Sequence, residues 1–266
     1  MNMQEQNWQN FCNHHLGDWH GIRTRYSPQG EVTESFEGFR IIRANPEHTE
    51  ITHTNRNIYA DGNTEEQSWQ FNKQSNNFTD GLMHPITPLM RFLVFEQGAA
   101  TGAYKKLETG SFFGIELFFI NDKLRHSLVI IYDKNGNLSR MTSIREDSAN
   151  FPNQYWSTEV NLSHERNFSG NWIGTSLTMI PDLQVSTPVP AQLHWPLAGN
   201  ETFFFPDGIS LSCPSKVKVG TKFAITANWI VTPSYLQQLI VKYDDSGAFS
   251  SLTFEEFHLT DAGGIS

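Results

Sequence analysis

Two arginines one residue apart, Arg23 and Arg25, are the strongest candidates for specific chemistry in this 266-residue chain. On a strand, residues two apart share a face, so the pair would aim two guanidiniums into one environment. If that environment is an interior, burial is costly without counter-charge. Either carboxylates on later strands answer them, with Glu96 and Glu116 as candidates, or they receive an anionic group of a ligand, such as a carboxylate or propionate. Internal salt bridging, or a place at an exposed rim, is the plainer alternative. The ligand-binding residues expected on this reasoning are Arg23, Arg25 and Glu116.

Other chemistry is excluded by what the sequence lacks. It holds no nucleophile elbow, no phosphate-cradling glycine loop with lysine and no dinucleotide fingerprint. His14, His15 and His20 are close together, and His164-Glu165-Arg166 is a second cluster, but neither has metal-ligand spacing. No catalytic residue, metal or cofactor is expected. A net charge of −9 disfavours nucleic acid and anionic membrane surfaces, and Lys105-Lys106 and Lys216-x-Lys218 are too small to offset it. No apolar run approaches the ~18 residues of a membrane span, and the start, Met-Asn-Met-Gln-Glu-Gln-Asn-Trp, is not a secretory leader. Cys12 and Cys213 allow at most one bridge. These features predict a cytoplasmic protein with no membrane insertion.

The elements that would position the arginines repeat. Gly17-Asp18-Trp19-His20-Gly21 recurs as Gly170-Asn171-Trp172-Ile173-Gly174, and Tyr132-Asp133 through Gly136 recurs as Tyr243-Asp244 through Gly247. The Trp offset is 153 (172 − 19) and the Tyr offset 111 (243 − 132), so the second unit is 42 residues shorter. From Phe223 to Gly247 the chain tracks Phe113 to Gly136, which places the loss in the second unit's front half. Trp8, Phe11, Cys12 and Leu16 fit one short amphipathic helix from Gln4 to about His15. Beyond it the period becomes two, and strands near 17–26, 31–43, 49–59, 65–72, 91–96, 102–106, 112–120, 125–133 and 138–146 alternate with turn residues such as Pro28-Gln29-Gly30 and Asp61-Gly62-Asn63. Phe78 to Met90 reads as an irregular loop, and the polar stretch Asn150 to Phe168 as a linker. A strand from Ser169 to about Met179 opens the second unit. A proline-rich crossing follows, then strands near 201–205, 208–212, 216–219, 222–231, 237–244 and 248–258. The pattern is all-β, in two units over residues 1–155 and 165–266.

An inward Trp on the first strand can fill the end of a small antiparallel barrel, with flanking glycines letting other backbone approach. Alternation then puts Trp19, Gly21, Arg23 and Arg25 inside and His20, Ile22, Thr24 and Tyr26 outside. Gly-x-Trp after a short helix resembles the lipocalin and fatty-acid-binding-protein superfamily, the calycins. With Leu16 to Gly21 and Tyr26 to Glu31, the whole chain resembles a family of two-barrel lipocalin-like proteins from cyanobacteria and plastids, whose plastid relatives include an ATP synthase biogenesis factor. The resemblance implies two lipocalin-like antiparallel β-barrels in tandem, the second reduced. Gly17, Trp19, Gly21, Gly170, Trp172 and Gly174 would close the barrels, with Arg140 or Arg145 packed across Trp19. Their counterparts, Ser251 and Glu256, leave the second Trp without such a lid. The functional expectation is a non-catalytic binding protein whose first barrel holds a small apolar or amphipathic acid. An assembly factor that meets a protein partner through the second barrel is the alternative, and a bilin-binding chromophore lyase a further one. A first-barrel cavity of at least ~300 Å³ lined by Phe and Arg would favour the ligand, and a packed interior would favour surfaces.

Overall fold

Asn2 accepts a hydrogen bond from the Glu5 amide at 2.7 Å and so caps the first helix, α1 (Met3–His15). In this computed structural model, which describes residues 2–149 and 154–260, strands then follow in near-continuous antiparallel succession. The first unit contains β1 (Gly17–Tyr26), β2 (Val32–Ala44), β3 (Glu50–Ile58), β4 (Thr64–Asn72), a helical turn α2 (Lys73–Asn76), β5 (Asn77–Phe78), β6 (Gly81–Met83), β7 (Met90–Val94), β8 (Ala100–Tyr104), β9 (Phe113–Asn121), β10 (Leu124–Tyr132) and β11 (Leu138–Asp147). Because β11 returns to pair with β1, all eleven strands form one sheet, ordered β4-β3-β2-β1-β11-β10-β9-β8-β7-β6-β5 and curled into a nearly closed barrel. The expected irregular loop from Phe78 thus contains the short strand β6. Helix α1 is stitched to β7 by Asn7, which exchanges hydrogen bonds with Phe92 O and Val94 N, and by Asn10, which donates to Val94 O.

The second unit contains β12 (Asn171–Met179), β13 (Val189–Gln192), β14 (Glu201–Phe204), β15 (Ile209–Cys213), β16 (Phe223–Thr232), β17 (Tyr235–Tyr243) and β18 (Phe249–Thr260). Their order, β13-β12-β18-β17-β16-β15-β14, is that of β2-β1-β11-β10-β9-β8-β7. The second sheet is therefore the first without β3 to β6, which is where the 42 missing residues belong. Lacking those strands, the reduced second unit is a seven-stranded sheet. The stretch 216–219, expected as a strand, contributes one isolated bridge, Asn137 to Lys216.

The two sheets pack through the faces that point away from the barrel interior. Phe113, Ile115, Leu117 and Phe119 of β9 share one buried core with Ile225, Ala227 and Trp229 of β16. The contacts come in matched pairs. Leu107 N donates to Gly247 O (2.7 Å) as Val217 N donates to Gly136 O (2.8 Å). Tyr132 donates to Pro214 O (2.9 Å) as Tyr243 donates to Tyr104 O (2.7 Å). The second sheet thus shares its principal core with the outside of the first unit, instead of enclosing one of its own.

The expected linker from Asn150 begins outside the described residues. Its described part is no solvated tether. Trp156 stacks on Trp229 at 6.2 Å between the sheets, and Val160 O accepts from Tyr26 at 2.5 Å. Cys12 lies in the barrel interior and Cys213 in the inter-sheet core, both as free thiols, so no bridge joins them.

Candidate functional site

The glycines of the repeated motif act through space. Gly17 and Gly170 open their strands at positive φ (138° and 114°), where a side chain would be strained. A Cβ on Gly21 would overlap the carbonyl oxygen of Arg145 on β11, and one on Gly174 the carbonyl oxygen of Glu256 on β18. Both positions need glycine for the strand that closes onto them. Trp19, on the interior face, donates to His15 O at 3.0 Å and so ties β1 to the end of α1.

Over Trp19 lies a guanidinium, but it belongs to Arg125, 4.1 Å from the ring centre. This corrects the expected lid. Arg140 is exposed, and Arg145 lies on the outer face, where it donates to Asp207 Oδ2 (2.6 Å) and Ser157 O (3.0 Å) and ties the two units together. The guanidinium comes from β10, one strand further from Trp19 than β11. Arg125 pairs in register with Glu146, which pairs in turn with Gly21, so the Arg reaches across one strand to the Trp.

Glu146 is the hub of a buried charge cluster. It has no solvent exposure, and its Oε2 receives Nε and Nη2 of Arg125, each at 2.8 Å. Its Oε1 faces Arg40 Nε at 3.1 Å and Arg23 Nη2 at 4.0 Å. Arg40 also donates to Glu116 Oε1 at 2.7 Å, and Ser127 donates to the same oxygen at 3.2 Å. Burial alone would raise the Glu146 carboxyl, but Arg125, Arg40 and Arg23 outweigh it and hold the group below the ordinary range. Burial pushes Arg23 and Arg125 down to about 10, so both remain cationic at neutral pH. Burial would lower Arg40 too, but Glu116 and Glu146 reverse the sign and raise it.

Beside this cluster is a cavity of about 180 Å³. Phe11 and His15 of α1 contribute to its wall, Arg40, Glu116 and Arg125 are its charged groups, and the half-buried Trp69 and His84 also line it. Burial drives His15 and His53 well below their ordinary value and His84 down to about 4, so these rings are neutral at pH 7. The charged groups of the wall are therefore Arg40, Arg125 and Glu116, set among aromatic and aliphatic side chains, three imidazoles, Asn55 and Thr87.

Of the three expected ligand residues, Glu116 alone lines the cavity. Arg23 is behind it, buried, donating to Asn57 Oδ1 at 2.5 Å. Arg25 shares its strand face but sits at the rim, paired with Glu34 and 4.7 Å above the Phe36 ring. Glu96 is exposed in the turn after β7, where its backbone oxygen meets His14, and it answers no arginine. Arg40 and Arg125 were not foreseen as site residues. Among the described residues, no group of three or more His, Cys, Asp or Glu could hold a metal ion.

In the second unit Trp172 has a different setting. Leu236 and Phe257 occupy the register positions of Arg125 and Glu146, and the three form a small apolar cluster. Trp172 Nε1 has no hydrogen-bond partner. The second sheet has no counterpart of the charged interior.

Residues 4–151 match the N-terminal domain model of DUF3598, a domain of unknown function. Residues 197–258 match the C-terminal domain model of biogenesis factor required for ATP synthase 1. The crystal structure of a DUF3598-family protein of unknown function from Nostoc punctiforme superposes with a TM-score of 0.74 at 20% identity, over 96% of this chain and 99% of that one, which shows a common fold. A Mycobacterium tuberculosis protein aligns over 97% of this chain and 98% of its own, but at 8% identity and a TM-score of 0.22 it carries no argument. No curated protein matches the sequence. With more than half its length covered by the first of these models, the chain belongs to the DUF3598 family.

Proposed function

We propose that this protein is a non-catalytic assembly factor, acting by protein contact in the biogenesis of an ATP synthase, and that the second unit makes the contact. The observation that carries the reading is the match of residues 197–258 to the C-terminal domain of an ATP synthase biogenesis factor. The fold supports it. The second sheet has lost β3 to β6 and buries its inner-face side chains Thr226, Asn228 and Gln238, and its edge strand β13 pairs only with β12 among the described residues. Two exposed apolar side chains, Ile173 (51%) and Val189 (49%), lie on opposite faces of this β12–β13 edge, so a partner that covers both must wrap the edge. The reading includes a cytoplasmic location, in keeping with two buried free thiols. No helix of the described residues is long and apolar enough to cross a membrane.

The cavity narrows the carrier reading. At about 180 Å³ it is smaller than the ~300 Å³ expected of a container for drug-sized ligands. A long-chain acid or a bilin cannot be enclosed there, which removes support from the chromophore lyase.

The test is direct binding of the full chain to isolated ATP synthase subunits, one at a time, by size-exclusion chromatography and calorimetry. One subunit is expected to bind at micromolar Kd or tighter, and Ile173→Asp with Val189→Asp should weaken it at least about tenfold. If no subunit binds the folded protein, the reading is wrong.

A further inference from the structure

The interior of the first barrel carries more positive than negative charge. Arg23, Arg40 and Arg125 face only Glu116 and Glu146, and the three nearby imidazoles are neutral. Arg25 does not alter the count, since Glu34 neutralises it at the rim. Burying an uncompensated guanidinium is costly, and proteins ordinarily offset it with a counter-ion. No further carboxylate reaches the cluster among the described residues. Nε of Arg40 and Nη2 of Arg125 touch Glu146 without the alignment of a hydrogen bond. Arg40 and Arg125 line the 180 Å³ cavity, and Arg23 behind them, 4.0 Å from Glu146, draws on the same two carboxylates.

The shape of that space limits what could fill it. A cavity of about 150 Å³ in a protein core takes benzene. One of about 180 Å³ therefore takes a benzene-sized body with one small polar group. The aromatic lining, with Phe11, Phe92 and Trp69, suits such a body, and Arg40 and Arg125, with Phe118 beside them, suit the polar group. A doubly charged or long-chain molecule fits neither the single excess charge nor the volume.

We propose that the first barrel binds a small monocarboxylate, of aromatic or short aliphatic type, with its carboxylate against Arg40 and Arg125 and its apolar body toward Phe11 and Phe92. The proposal does not depend on the assembly-factor reading, because it concerns the other unit. A bound acid would complete the charge balance of the interior and stiffen the barrel beside α1.

The experiment is titration of the full-length protein with benzoate, cyclohexanecarboxylate and hexanoate, followed by calorimetry and ligand-observed NMR. Benzyl alcohol serves as a neutral control of similar size. At least one acid is expected to bind at least about tenfold more tightly than the alcohol. Glu116→Gln removes one of the two competing carboxylates and should tighten that acid several-fold without affecting the alcohol. Arg40→Gln should weaken it about tenfold or more. Should Arg40→Gln fail to fold by circular dichroism, the wild-type preference for acid over alcohol and the Glu116→Gln gain still decide. The proposal is overturned if no acid binds the folded wild-type protein, if acid and alcohol bind equally, or if folded Glu116→Gln leaves acid affinity unchanged.

Discussion

The two units of this chain contain the same seven strands in the same order, yet one encloses a charged interior and the other buries an uncharged one, with Thr226, Asn228 and Gln238. The difference comes from β3 to β6. With them the first sheet curls until Arg40 and Glu116, on distant strands, meet at 2.7 Å. Without them the second sheet is covered instead by the segment around His194 and Leu197, which bonds to Gln238 and Ser212. The positions that would face an interior have changed accordingly. Arg125 and Glu146 become Leu236 and Phe257 beneath Trp172, Glu116 becomes Thr226, and Phe118 becomes Asn228. A charge network is tolerable only where closure supplies every partner. The second sheet has a small apolar cluster around its Trp instead, and the matching outer faces hold the two units together.

That comparison can be broken most forcefully at Glu146. Glu146→Gln keeps the shape and removes the charge that faces three arginines, so stability should fall by about 3–5 kcal/mol. Converting the pair toward the second unit's pattern, Arg125→Met with Glu146→Leu, should cost less than the single change, because no buried charge is then stranded at that position. Denaturant titration of both variants checks the ranking, and a double variant less stable than the single would refute it. A second large effect belongs to the shared core. Trp229→Ala should cost about 3–5 kcal/mol. Since Trp229 packs with Trp156 and Phe119, both units should still unfold in one transition. Separate transitions seen by barrel and second-sheet probes would show that the two units have independent cores.

Much of this was legible in the sequence, and the reason it stopped where it did is geometric. Alternation along β1 placed Trp19, Gly21 and Arg23 on one face, because strand periodicity is local. The offsets 153 and 111 located the missing segment before any strand was seen. The partner of Trp19 was not local. Arg125 reaches it across Glu146 on the intervening strand, so only the register of β10, β11 and β1 together identifies it. One signal was available, since Arg125 and Glu146 align with Leu236 and Phe257 at the same 111-residue offset, a charged pair against an apolar one. Arg40 stands opposite Trp19 in the β1–β2 hairpin, but the bulge between Arg25 and Tyr26 shifts that register. The expected linker carries one residue that its polar composition does not announce: Trp156 gives it a place in the core.

Acid should probe both regions through their buried histidines. His15 and His53 lie in the barrel, and His126 lies between the sheets, its ring edge-on to Trp156 and Trp229. Burial depresses all three well below 6.5 in the folded chain. The unfolded chain therefore takes up protons first. Stability should be level above about pH 6.5 and should fall below it, at up to about 1.4 kcal/mol per pH unit for each histidine. His84, held at about 4, acts in the same direction. Denaturant titrations at pH 7.5 and 5.5 should show the loss. His126→Gln should flatten it by about one histidine's share, provided the amide still reaches Ser143, which now lies 2.9 Å from the ring. A pH-independent stability across that interval would mean that these rings are not buried as described.

The smallest effect separates the rim of the barrel from its interior. Arg23 and Arg25 share a strand face, but their surroundings differ. Arg23 is buried beside Glu146 and Asn57, whereas Arg25 and Glu34 keep 30% and 39% side-chain exposure. A half-exposed pair is screened by solvent and contributes little. Arg25→Gln should therefore change stability by less than about 1 kcal/mol, and its loss should shrink further in high salt. Arg23→Gln should cost more and respond less to salt, since its partners are shielded from ions. Paired denaturation curves at low and high salt would decide. Equal costs with equal salt dependence would place both arginines at the rim, leave Arg40 and Arg125 balanced by Glu116 and Glu146, and remove the excess charge on which the anion site depends.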